Sequence, residues 1–152
     1  MGNEVVKFKS YIQENNLLWS TERAIIAEQV FENHFHYTAD DLYVQLKELG
    51  KNISRATVYR TLELLEKSNL VSKIHLENGK HIYEHIYGHT NHGHLVCQNC
   101  NKIIEVKSKK IEEMQKKISG EENFKITRHS FKIYGICFEC QKRVEENRKQ
   151  GS

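Results

Sequence analysis

No proline occurs anywhere in the 152 residues, so nothing interrupts a helix-rich N-terminal half, and the usual punctuation between elements is missing with it. No apolar run approaches the roughly 18 residues that a membrane span requires, which excludes a helical membrane protein. The opening Met1-Gly2-Asn3-Glu4 has neither the basic nor the apolar stretch of a secretory leader, and the expected compartment is the cytoplasm. Strong charge of one sign is missing too. The formal net charge of +3 is mild for a nucleic-acid binder, and it is not concentrated where DNA would want it. Residues 1–83 carry ten Lys/Arg against eleven Asp/Glu, and residues 84–152 carry thirteen against nine. Any case for DNA binding must therefore rest on individual residues in a local patch and not on a global field.

What is present fits one ordinary domain or two small ones, the latter needing a staple such as a metal clip to fold. From Asn3 to about Asn69 the apolar residues recur at three- and four-residue spacing, and the segment reads as four helices. The third opens at Thr38, with Asp41 three residues on, and ends at Gly50 after Leu42, Leu46 and Leu49. A short turn, Lys51-Asn52-Ile53, leads to a fourth helix capped by Ser54. That helix buries Val58, Leu62 and Leu65 and leaves Ala56, Tyr59, Arg60, Glu63 and Lys67 on its wet face. Two helices joined so tightly make a helix-turn-helix, whose second helix reaches base edges with its N-terminal half. Tyr59 and Arg60 sit there; arginine is a bidentate reader of guanine and a tyrosine ring can meet a thymine methyl. Read alone, they are equally compatible with ordinary exposed helix residues. Leu70–Leu76, Glu77-Asn78-Gly79-Lys80 and His81–Tyr87 then read as a hairpin about an Asn-Gly turn, and a hairpin after a helix pair makes a winged helix. After the stretch Gly88-His89-Thr90-Asn91, the second half reads as a small α+β unit. Its expected strands are His94–Cys97, Lys102–Val106 and Phe124–Tyr134, with a polar helix from about Ser108 to Ser119.

All four cysteines fall into two pairs, Cys97/Cys100 and Cys137/Cys140, each with the two-residue spacing that lets two thiolates grip one tetrahedral ion. The 36 intervening residues exceed a zinc-ribbon loop, so the ion would tie distant parts of the second half together. Four thiolates leave no open position, which makes the role structural. Reactive dithiols or disulfides are the competing readings, and with them a thiol redox-switched zinc protein.

Five of the nine histidines lie between His81 and His94, a density that packing does not require. The imidazoles of His92 and His94 are expected on one side of a strand, close enough to share an ion. Alternation along the second hairpin strand puts Glu84 on an apolar face with Ile82 and Ile86, opposite His81, Tyr83, His85 and Tyr87. A carboxylate there is costly unless paired or ligated, so Glu84 is a ligand candidate. Glu105 repeats the pattern beside Ile103, although either glutamate could simply reach water at a strand end. His81-Ile82-Tyr83-Glu84-His85 also matches the H-x-x-E-H signature of some zinc peptidases, but that motif works on a helix and these residues read as a strand. The chain is expected not to be an enzyme.

Three runs, Ser54-Arg55-Ala56-Thr57-Val58-Tyr59-Arg60-Thr61-Leu62, His92-Gly93-His94-Leu95-Val96-Cys97-Gln98-Asn99-Cys100 and Tyr134-Gly135-Ile136-Cys137-Phe138-Glu139-Cys140, together resemble the ferric uptake regulator family over nearly the whole chain. The resemblance implies an α+β homodimeric repressor. Residues 1–87 would form a winged helix-turn-helix DNA-binding domain, 88–92 a hinge, and 93–152 a small α/β dimerisation domain with a four-cysteine zinc site. It implies a regulatory metal held by His36, Glu84, His92, His94 and Glu105, and DNA contacts from Arg55, Tyr59 and Arg60. The expected ions are structural Zn2+ and regulatory Fe2+ or Mn2+, with Zn2+ able to occupy the regulatory site in vitro. The expected partners are an AT-rich palindromic DNA operator and a second copy of the chain, with no membrane. A mixed imidazole and carboxylate shell suits Fe2+ or Mn2+ and has no thiolate to favour zinc, and Glu105, where peroxide-sensing relatives often have aspartate, tips the reading to iron; peroxide-sensing or zinc- or manganese-sensing members of the family are the alternatives.

The family often has a further metal site, for which Glu112 and His129 fit. Asn91 and Gly93 cannot supply its other two ligands, so that site is expected to be absent or weak unless His89 substitutes. Asn101 stands where glycine is usual, and asparagine tolerates the left-handed turn. Ser20-Thr21-Glu22-Arg23 lacks the usual proline, which is optional at a helix start.

Overall fold

The structure is a computed structural model describing residues 2–32, 36–88 and 92–151. It divides into two compact units, Met1–His89 and Thr90–Ser152. The expected hinge therefore falls largely on residues 89–91, outside those described.

The first unit runs α1 (Asn3–Glu14), α2 (Thr21–Glu32), α3 (Ala39–Glu48), α4 (Arg55–Lys67), β1 (Val71–His75) and β2 (His81–His85). Val5, Phe8 and Ile12 line one stripe of α1 and all are buried. At the start of α3, Thr38 accepts from the Asp41 N–H while the Asp41 carboxylate accepts from the Thr38 N–H at 2.8 Å, a complete capping box. Ser54 caps α4 by accepting from the Thr57 N–H at 3.1 Å. Val58, Leu62 and Leu65 are fully buried against α2 and α3, and Ala56, Tyr59, Arg60, Glu63 and Lys67 are exposed, as the rotation of the helix requires. Leu49 is a C-cap residue and lies exposed, so α3 is anchored by Leu42 and Leu46. Thr61, also fully buried, donates its hydroxyl to Thr57 O at 2.7 Å and so needs no partner outside its own helix.

Four helix ends share one geometry. After α1, α3 and α4, residues Asn16, Gly50 and Asn69 take φ of 54°, 71° and 58° and donate to the carbonyl three residues back. In each case the next N–H, that of Leu17, Lys51 or Leu70, reaches five residues back. In a chain with eight glycines and no proline, asparagine takes over most of this helix-stopping duty.

β1 and β2 pair antiparallel from Val71↔His85 to His75↔His81. Within the turn only Gly79 has positive φ, at 78°, while Asn78 Oδ1 accepts from the Lys80 N–H at 3.0 Å. The face of β2 that meets the helical core is the one carrying Tyr83, not the one carrying Ile82 and Ile86, which are only half-buried. The tyrosine ring offers the larger apolar area, and it is held there because Tyr83 forms a backbone bridge to Tyr37. Glu84 is buried on the opposite face, across from half-buried Ser72 and on the same side as Ile74, which is fully buried.

The second unit runs β3 (Gly93–Cys97), β4 (Ile103–Val106), α5 (Lys109–Glu121), β5 (Lys132–Gly135) and α6 (Phe138–Gln150). The sheet order is β4-β3-β5, with β3 antiparallel to β4 and parallel to β5. The long strand expected over Phe124–Tyr134 is only the four residues of β5. Residues 124–130 are exposed and, among the described residues, pair with no strand. α5 ends as the first-unit helices do, on Asn123 at φ 51°. α6 carried no apolar periodicity to announce it, and Cys140 is its sole buried residue. The buried apolar side chains of this unit, among the described residues, are Val96, Cys97 and Cys140, and α5 buries none.

Candidate metal centres and DNA-reading surface

The three-residue turn after β3 and the entry to α6 bring the four cysteines together. Their sulfurs lie within 4.8 Å of one another, and Cys100 Sγ stands 3.7 Å from Cys137 Sγ. Thiolates at the usual 2.3 Å from a tetrahedral zinc are roughly 3.8 Å apart, whereas a disulfide requires about 2.05 Å, so the cluster fits an ion and not a bridge. The backbone already favours thiolate. N–H groups of Cys137 and then Cys100 point at Cys97 and pull its thiol down to about 6, the first of them at 3.3 Å. At Cys140 a hydrogen bond with the Asn99 side chain pulls downward, but burial and the neighbouring thiols outweigh it and push this thiol up to about 11. Four such groups packed without a cation cannot all ionise; a dication removes that conflict. Asn101 closes the first knuckle at φ 61°, the left-handed conformation for which glycine is usual.

In the first unit, the Tyr37 N–H donates to Tyr83 O at 3.2 Å and the Tyr83 N–H returns a bond to Tyr37 O at 2.8 Å. This bridge sets the residues beside it next to each other, and His36 Nε2 stands 3.5 Å from Glu84 Oε1. Burial first, then Tyr83, raises the Tyr37 phenol; burial first, then Glu63 and Glu66, pushes that of Tyr83 up to about 12. Both therefore stay neutral beside the donors.

In the second unit, His92 Nε2 lies 3.9 Å from Glu105 Oε1, and the His92 and His94 rings are 4.8 Å apart. His94 is buried and faces Glu105 in the β3–β4 register. Glu105 is exposed and Ile103 only half-buried, so the apolar-face argument made for Glu105 fails; its closeness to His92 is what recommends it. Two donors at about 2.1 Å from one ion stand roughly 3.0–3.4 Å apart, and each unit thus presents a nitrogen–oxygen pair near that spacing. The donor set contains no sulfur and suits a hard or borderline dication.

Glu112, His129 and His92 line one small pocket of the second unit. Gly93 lines it too, and any Cβ there would run into the ring of Phe131. A carboxylate ligand at Gly93 is thus excluded twice, by residue type and by space, while His89 and Asn91 lie outside the described residues. Among the described residues, Glu112 and His129 thus lack the ligand that a further metal site would need at Gly93.

On α4, Arg55, Tyr59 and Arg60 all lie exposed. The Tyr59 hydroxyl donates to Asp40 Oδ1 at 3.2 Å and Arg55 Nε lies 3.5 Å from the same oxygen. Asp40 escaped sequence reasoning, which singled out only its neighbour Asp41, as the partner of the Thr38 cap.

Residues 14–134 match the model of the ferric uptake regulator family. A ferric uptake regulation protein of Campylobacter upsaliensis is 36% identical over 141 residues, covering 91% of this chain and 90% of that relative. The ferric uptake regulator of Pseudomonas aeruginosa, solved with manganese, superposes with a TM-score of 0.73 at 28% identity, covering 86% of this chain and 97% of its own. That of Helicobacter pylori, described as having three functional metal binding sites, gives 0.70 at 28% identity, covering 90% and 91%.

Proposed function

Because the chain belongs to the ferric uptake regulator family, whose members are metal-responsive, dimeric DNA-binding regulators, we propose that it is an iron-dependent repressor of metal-uptake genes. Residues 1–87 bind DNA, 88–92 act as hinge, and 93–152 dimerise and carry the zinc on Cys97, Cys100, Cys137 and Cys140. The regulatory ion, Fe2+ or Mn2+ in the cell, takes ligands from His36 and Glu84 in the first unit and from His92, His94 and Glu105 in the second. The observation that carries this reading is the division of the sulfur-free donors, one nitrogen–oxygen pair on each unit. When bound, the metal supplies a fixed point common to both units.

The rest is done by the chain. The Tyr37–Tyr83 bridge holds His36 and Glu84 ready, so ligands of the first unit move only with its winged helix as a whole. Arg55, Tyr59 and Arg60 then meet the bases of an AT-rich palindrome, with the two copies spaced as its half-sites require. A full switch needs the loaded arrangement to be favoured by about 5.5 kcal/mol. Dimerisation is supported by Met114, Ile118, Phe124, Ile133, Ile136 and Phe138, apolar residues of the second unit that one copy leaves exposed. A gel-shift assay against AT-rich palindromes, with Fe2+, Mn2+, Zn2+ or chelator added in turn, tests the whole. Fe2+ should tighten operator binding at least 100-fold over chelator; binding indifferent to metal would refute the proposal.

A further inference from the structure

α3 opens with two adjacent carboxylates that serve different partners. Asp41 is consumed by its own helix, its Oδ2 accepting from both the N–H and the hydroxyl of Thr38 at 2.8 and 2.6 Å. Asp40, about 100° round the helix, turns the other way. One of its oxygens receives the Tyr59 hydroxyl at 3.2 Å and lies 3.5 Å from Arg55 Nε, while the Arg55 guanidinium lies 5.3 Å over the Tyr43 ring. Two of the three residues assigned to DNA on α4 thus converge on one acid from the preceding helix.

Stability does not explain that acid. Asp40 and Arg55 have side chains 46% and 62% exposed, and ion pairs in such surroundings contribute little. Nor does attraction to DNA, since a carboxylate on a phosphate-facing surface repels it. What Asp40 does provide is direction: it fixes the Tyr59 ring through its hydroxyl and keeps the Arg55 charge partly neutralised.

We propose that Asp40 is a positioning and selectivity residue of the reading surface, orienting Tyr59 and Arg55 for base edges while withholding Arg55 from indiscriminate contact with phosphate. The Tyr59 phenol, a donor at neutral pH in any case, is raised further, by partial burial first and by the Asp40 hydrogen bond next. Without Asp40, Arg55 is free to swing to the nearest phosphate of any duplex. The first unit's balance of charge, ten basic residues against eleven acidic ones over residues 1–83, leaves little other attraction to mask the change.

This inference rests on the assignment of α4 to DNA, and its test separates the two. The probes are a duplex selected from a random pool by the metal-loaded wild-type dimer and a scrambled duplex of equal composition. Asp40→Asn keeps an acceptor for Tyr59 but removes the charge; it should tighten scrambled-duplex binding, lower the selected-to-scrambled ratio by about fivefold or more, and steepen the scrambled-duplex salt slope by about one. Asp40→Ala should in addition weaken selected-duplex binding, and Tyr59→Phe should then cost less in the Asp40→Ala background than in the wild type. Zinc content and melting temperature report that each variant is folded; should Asp40→Asn not fold, Asp40→Glu, which retains the charge, must keep scrambled-duplex binding weak. Wild-type protein that selects no sequence would overturn the α4 assignment and this proposal with it. Selection by the wild type with an unchanged ratio and salt slope in Asp40→Asn, or equal shifts on both duplexes, would overturn the role of Asp40 alone.

Discussion

Replacing Cys140 with serine is expected to abolish zinc binding and to unfold the second unit, leaving the first intact. The reason lies in how little else that unit buries: Val96, Cys97 and Cys140 are its buried apolar side chains among the described residues, and Cys140 is the one buried residue of α6. A unit this small needs a staple, and structural zinc supplies on the order of 10–16 kcal/mol of apparent binding free energy at neutral pH, most of which goes into folding. Losing one thiolate leaves an open coordination position and three crowded sulfurs. The check is a metal assay with residue-resolved hydrogen exchange. Amides of β3 and β5, such as His94 N–H on Phe131 O, should lose protection while those of α4 keep theirs. Stoichiometric zinc together with full protection in Cys140→Ser would show that the unit folds without the four-sulfur clip.

Glu84→Ala should produce the second large effect, abolishing metal-dependent operator binding while the zinc and the dimer survive. Glu84 is 5% exposed and stands 3.5 Å from His36 Nε2. Two roles fit that geometry, a ligand and one half of a buried ion pair, and they predict opposite outcomes. If Glu84 only pairs with His36, removing it strips about 3–5 kcal/mol of stability and leaves the metal response in place. If it is a ligand, the metal-free protein is no less stable, because a costly buried carboxylate has gone, while the Fe2+ or Mn2+ concentration needed for DNA binding rises on the order of 100-fold or more. His92→Ala should give the same loss of response from the other unit. Calorimetric melting of the metal-free variants beside metal titrations of operator binding decides the matter, and a stability loss with an intact response would remove Glu84 from the ligand set.

Much of the first unit was legible because its signals are local. Thr38 with Asp41, Ser54 before Val58, and Asn78-Gly79 each determine a backbone conformation within four residues, and the structure places a cap, a cap and a turn at those points. The cysteines were legible for the same reason, since spacing within each pair dictates the knuckle. Signals that need a partner from elsewhere were lost. Which face of β2 meets the helical core depends on the Tyr37 bridge, forty-six residues earlier in the chain than Tyr83, and alternation alone does not choose between the two. The extent of β5 depends on which residues of β3 remain to pair with it, and α6 has no apolar stripe to read. Glu84 was singled out as a carboxylate sharing an apolar strand face with Ile82 and Ile86, and it is buried there, whereas Glu105 was singled out by an argument that its exposure contradicts. His36 came from family resemblance alone, since nothing in its local sequence marks it as a donor.

The helix ends offer a way to harden the protein against heat. Asn16, Asn69 and Asn123 hold left-handed backbone that an L side chain adopts at some expense and glycine adopts freely. Glycine at each should raise stability by about 0.5–1 kcal/mol, visible as additive rises in melting temperature, with metal response and DNA preference unchanged. Durability in this chain is thus adjustable at its chain reversals, independently of the ions it holds.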